Sequence, residues 1–165
     1  AQELVVASGA TLTGRNEIRL STQAVLTLEG GTVSSLRWVD VLKGGRVQGT
    51  GRIDASLYNA GMTAAKNGPP TVKGDYREQA GATLGLTLSK ADAAQLIVSG
   101  DAALNGTLAI SLAKGFKPAA GDTITLLTAK SIQGTFANAD NQVAAGGTRF
   151  KITYTDKTVT LTVQK

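Results

Sequence analysis

The chain contains no histidine and no cysteine. Its available chemistry is therefore that of carboxylates, amines, guanidinium groups, hydroxyls and a few aromatic rings. Imidazole bases, thiolate nucleophiles, disulfides and His/Cys zinc sites are excluded. Acidic and basic residues stand together at Arg52 and Asp54, and again at Lys73, Asp75 and Arg77. Parallel β-helix enzymes that cut polysaccharides cluster such groups on one sheet face. Here the expectation is solvated strand-end ion pairs, each worth ~0–1 kcal/mol. A serine nucleophile would need a lysine base. Ser89-Lys90 and Lys130-Ser131 are adjacent, and adjacent residues on a strand point to opposite faces. Asn138-Ala139-Asp140-Asn141 carries oxygen ligands without EF-hand or nonapeptide calcium spacing, so it reads as a polar loop. No catalytic, cofactor or metal site is assigned, and the chain reads as a non-enzyme.

Binding is the remaining chemistry. Sugar recognition uses exposed aromatic rings, and the candidate glycan contacts are Trp38, Tyr58 and Tyr76. Trp38 shares strand parity with Leu36, which favours a packing role. Tyr58 is the better candidate for an exposed ring, and Tyr76 stands at the start of a strand. The net charge is +5, from 17 basic and 12 acidic residues. Much of the excess lies after residue 109, where seven basic residues face three acidic ones. Scattered charge of this kind keeps a surface solvated; the sharper reading is attraction to an anionic polymer. No apolar run approaches the ~20 residues of a membrane-spanning helix. Ala1-Gln2-Glu3 reads as a start left by cleavage at a small-residue site, so secretion is expected.

The elements that would position these residues are marked by a recurring phrase. Gly9-Ala10-Thr11-Leu12-Thr13-Gly14 returns as Gly45-Arg46-Val47-Gln48-Gly49, as Gly81-Ala82-Thr83-Leu84-Gly85 and as Gly100-Asp101-Ala102-Ala103-Leu104-Asn105-Gly106. Each copy is a glycine turn leading into a short apolar strand. Gln23-Ala24-Val25-Leu26-Thr27-Leu28-Glu29-Gly30-Gly31 is a looser copy. Aromatics make up only 4% of the chain, so the core must be aliphatic. No stretch sustains a helical period, and repeated short strands between glycine turns predict stacked coils. The expected organisation is β-solenoid coils over 1–112, with an irregular excursion around 54–74 marked by Asn59-Ala60-Gly61 and Asn67-Gly68-Pro69-Pro70. Ser89 is placed to cap one helical turn over Lys90–Ala94. Residues 113–165 supply closing strands and a hairpin cap, with Phe150–Tyr154 and Thr158–Val163 flanking Thr155-Asp156-Lys157.

From Gly74 to Val163 the chain resembles the C-terminal segments of bacterial surface β-solenoids, notably the strand repeats of autotransporter passenger domains. The resemblance rests on Gly74-Asp75-Tyr76, Gln79-Ala80-Gly81-Ala82-Thr83-Leu84, Leu96-Ile97-Val98-Ser99-Gly100 and Leu104-Asn105-Gly106-Thr107-Leu108. It continues through Gly115-Phe116-Lys117-Pro118, Gly121-Asp122-Thr123, Leu126-Leu127-Thr128-Ala129 and Gly134-Thr135-Phe136. It implies an all-β fold, a right-handed parallel β-helix with a C-terminal β-hairpin cap, at the bacterial cell surface or outside the cell. The functional expectation is a secreted, non-catalytic structural solenoid acting in adhesion, extracellular matrix or head-to-tail filament assembly. Its partners would be further copies of itself or a surface polysaccharide. The alternative is a glycan-binding module appended to a polysaccharide-degrading enzyme.

Overall fold

A computed structural model describes residues 2–65, 68–89 and 95–165. The chain is all-β, a β-solenoid of about five turns, with no α-helix among the described residues. In the first coil, β1 (Gln2–Ala7), β2 (Thr11–Gly14) and β3 (Ile18–Leu20) lie on three successive faces. All three pair in parallel with one long bent strand, β4 (Ala24–Val41). The next coil is β5 (Arg46–Asn59), which follows β4 along most of its length. Then come β6 (Met62–Ala64), β7 (Thr71–Val72) and β8 (Tyr76–Glu78), one on each face of β5. Next come β9 (Thr83–Leu88), β10 (Leu96–Ile97) and β11 (Asp101–Leu104). The last is β12 (Thr107–Leu112), β13 (Thr123–Thr128) and β14 (Ser131–Gly134), each parallel to its counterpart above.

Register explains the core. Leu26, Val47, Thr63, Leu84 and Leu108 form one inward row through consecutive coils. Val33, Ile53, Val72 and Val98 form a second, and Val39, Leu57, Tyr76 and Ala102 a third. All are buried. Each aliphatic side chain withdrawn from water in these rows contributes about 1.5–3 kcal/mol, and alternation along each strand sends its neighbours outward.

Two expectations need correction, whereas the expected C-terminal hairpin is present with one strand added. Residues 54–74 are not an excursion: Asp54–Asn59 complete β5, and β6 and β7 continue the first and second faces. Asn59-Ala60-Gly61 bends one corner, between β5 and β6, without breaking the stack. The solenoid also runs past residue 112, because β13 and β14 pair in parallel with β10 and β11. The cap is larger than a hairpin. β15 (Gln142–Ala145), β16 (Thr148–Tyr154) and β17 (Thr158–Val163) form an antiparallel meander whose last strand joins β13. The helical turn expected over 90–94 lies outside the described residues.

The two ends differ. At the start, β1, β2 and β3 have no strand partner besides β4 among the described residues, and Leu4 and Val5 are 51% and 47% exposed. At the other end every face of the last coil meets the cap. β17 pairs with β13, and Ile132 N–H on β14 donates to the Asp156 carbonyl at 2.8 Å. Ala137 N–H donates to the Gly106 carbonyl at 2.8 Å. The Asn138 side-chain amide then grips β12, its Oδ1 accepting from Leu108 N–H at 2.9 Å and its Nδ2 donating to Leu108 O at 3.0 Å. This amide imitates a peptide unit of an added strand at Leu108, so that point of the edge is occupied, while β12 and β14 pair with no further strand among the described residues.

Candidate functional site

The outer surface of the third face carries the densest grouping of functional side chains. Val39 and Val41 point inward, so Trp38 and Asp40 point out. The same alternation turns Tyr58 and Arg77 outward from β5 and β8, and register aligns Arg19, Asp40, Tyr58 and Arg77. Trp38 and Tyr58 stack with centroids 5.6 Å apart and planes 26° apart. Arg37 lies 5.1 Å from the Trp38 centroid and Arg77 5.8 Å from that of Tyr58. The result is a guanidinium–indole–phenol–guanidinium stack, each cation–π contact worth ~0.5–1 kcal/mol at such half-exposed positions.

The structure thus brings together two of the three rings singled out from sequence. Trp38 is half-buried on the outer face rather than in the core. Its parity with Leu36 misleads because the β4–β5 register shifts between Ser34 and Trp38, leaving Leu36 83% exposed at the corner. Tyr58 is half-buried within a strand. Tyr76 is fully buried, so its ring is not offered to a ligand. Each ring is stacked on the other and has a guanidinium within cation–π distance. Ring edges and cations are what the ladder presents outward, which suits an anionic group better than a sugar laid flat on an aromatic face.

The charged pairs fall apart as a catalytic set. Arg52 holds Asp54 at 2.7 Å and Lys73 approaches it to 3.9 Å, on the second face. Asp75, on the third, meets Arg77 at 3.7 Å, and its Oδ1 accepts from Asp101 N–H at 2.9 Å, joining coil to coil. Ser131 donates to Asp101 at 2.8 Å. Asn138 is committed to β12 as described. On the first face a shallow trough of about 270 Å³ runs along the axis. Ala64, Gly85 and Ala109 share one register row on its floor, beside Thr87 and Ser111, whose hydroxyls are 2.9 Å apart.

A buried polar cluster was not anticipated from sequence. Tyr76 O–H donates to Glu78 Oε1 at 2.8 Å, and Gly106 N–H donates to Glu78 Oε2 at 3.2 Å. Asn59 Nδ2 donates to Tyr76 Oη at 3.3 Å and to the Thr83 carbonyl at 3.1 Å. Burial pushes the Glu78 carboxyl up to about 7 against the opposing pull of these hydrogen bonds, and burial first, then the Glu78 charge, raises Tyr76 well above its usual range. The available signal was parity: Glu78 shares a strand face with Tyr76.

The fold defines the class as a β-solenoid. No protein-family model matches the chain, and no curated protein matches it.

Proposed function

We propose that this chain is a non-catalytic structural β-solenoid, an extracellular rod element that works by shape in adhesion or matrix. The observation that carries this reading is the asymmetry of its ends: open strand edges with Leu4 and Val5 exposed at one, a sealed coil at the other. Exposed edges are templates for further pairing. The resemblance to autotransporter passenger segments supports an address on or outside a bacterial cell. We propose an assembly other than the head-to-tail stacking expected from sequence. Head-to-tail stacking needs two open ends, so like ends must meet, and a like-with-like contact closes on itself as a dimer. In preparations of residues 1–165, the open coil of one copy pairs with that of another. We expect a concentration-dependent dimer by sedimentation and in electron micrographs. Leu4→Lys, which places a charge on the exposed apolar end, should shift it to monomer. A monodisperse monomer of the unsubstituted chain at millimolar concentration would sink this reading.

The guanidinium–ring ladder favours a second reading, a module that binds acidic polysaccharide. Arg37 makes no ion pair among the described residues, and Trp38 is its platform. On this reading the protein is retained on an immobilised polyuronate. Trp38→Ala and Tyr58→Ala each weaken retention about tenfold, the size of a ~1–2 kcal/mol contact. Passage through a panel of acidic and neutral glycans without delay removes this reading and leaves the structural one untouched.

A further inference from the structure

Glu78 is a carboxyl in an aliphatic core, 5% exposed, with no lysine or arginine paired to it among the described residues. The groups facing it are few. From its own strand comes the Tyr76 phenol, backed by the Asn59 amide of β5. From the corner before β12 come the backbone groups of Asn105 and Gly106. From β16 the phenol of Tyr154 senses its charge. None is a cation, so ionisation leaves a buried charge uncompensated.

That corner is also part of the seal. Gly106 donates to Glu78 and accepts from Ala137. Two residues on, Leu108 is gripped by Asn138. Phe136 N–H donates to Tyr154 Oη at 3.0 Å, which closes a ring of contacts from Glu78 through Gly106 and the segment 136–138 to β16. We infer that Glu78 is a pH-operated latch: the neutral carboxyl keeps the sealed end shut, and its ionisation lets the last coil and cap separate from the stack. Opening at this corner withdraws the backbone groups of Asn105 and Gly106 from the carboxyl.

The sign follows from linkage. A carboxyl that ionises near pH 7 when folded and near its ordinary value of 4.5 when exposed supports closure fully below that ordinary value. The support is lost as pH rises through about 7 and is gone above it. Each unit across that window shifts the opening equilibrium by as much as tenfold.

The test is amide exchange in the intact protein, corrected for the intrinsic pH dependence of exchange. Between pH 5 and pH 8 the protection of Gly106, Leu108 and Ala137 should fall about 100-fold, while amides of β4 hold theirs. Glu78→Gln, neutral and of the same shape, should keep the acid-side protection at both pH values. Three results overturn the latch: no fall in the unsubstituted protein, the same fall in Glu78→Gln, or an equal fall in β4. The first and third need no variant and so do not depend on how Glu78→Gln folds.

Discussion

Gly49→Ala should cost about 2–5 kcal/mol, whereas Gly81→Ala should cost about 1–2, although both glycines sit at corners with nearly the same backbone conformation. Gly49 has φ +90° and Gly81 φ +85°. An L-residue in that region carries a strain of about 1–2 kcal/mol at either site. The surroundings separate them. Gly81 faces open space, with nothing near the position a Cβ would take. Gly49 sits in register with Leu28, and its Cβ would lie on the Leu28 carbonyl oxygen, inside hard contact. That oxygen belongs to backbone that cannot swing aside like a side chain. Relief means displacing two coils and weakening a ladder hydrogen bond, a further ~1–3 kcal/mol. At ~2–4 °C per kcal/mol for a domain of this size, the difference is several degrees in thermal midpoint. Equal midpoints for the two variants would show that coil contact at Gly49 is looser than the geometry requires.

This contrast also marks how far the sequence could be read. The glycine phrases announced β2, β5, β9 and β11, each of which starts within two residues of its glycine. The alternation of Thr83–Leu88 and Thr107–Leu112 announced strands that lie in register on one another. What the phrases do not carry is the face. Gly45 and Gly81 open the first face, Gly9 the second and Gly100 the third, because a turn motif encodes a bend and not its place in the coil. Gly68-Pro69-Pro70 likewise reads as part of a break in the stack, yet β7 directly after it continues the second face.

Pairing partners were less legible than strands. Local alternation in Thr123–Thr128 cannot reveal that β13 runs parallel to β10 on one edge and antiparallel to β17 on the other. Sequence reading therefore found the closing hairpin and missed how much of the end it seals. The ligand candidates divide for the same reason. Trp38 and Tyr58 are brought together by register across 20 positions, and Tyr76 is turned inward by its parity with Glu78. A charged residue at an inward position contradicts the usual pattern of burial. The hydrogen bonds that make Glu78 tolerable come from Tyr76, two residues before it, and from a backbone corner 28 residues away.

Phe136→Ala should convert a closing protein into a polymerising one. Phe136 is 2% exposed and packs against the Tyr154 ring at 6.3 Å, between the end of β14 and the Asn138 amide that plugs β12. Removing a buried phenylalanine costs about 3–5 kcal/mol. In a solenoid that loss stays near the affected end, because each coil touches only its neighbours. The cap should loosen while the upper coils remain folded. Asn138 then no longer holds the edge of β12, and the last coil becomes a template like the first. With two different open ends, copies can add head to tail, and an unclosed head-to-tail contact gives a fibre. The expected outcome is a lower thermal midpoint for the cap, read from the NMR resonances of Phe150 and Tyr154, with filaments in electron micrographs that the unsubstituted chain does not form. Adding Leu4→Lys to the same chain should suppress them, since it disables the other end. Filaments that persist in the double variant would mean that growth does not run through strand edges. A Phe136→Ala protein of native stability would mean that the seal is held elsewhere, by the β13–β17 ladder alone.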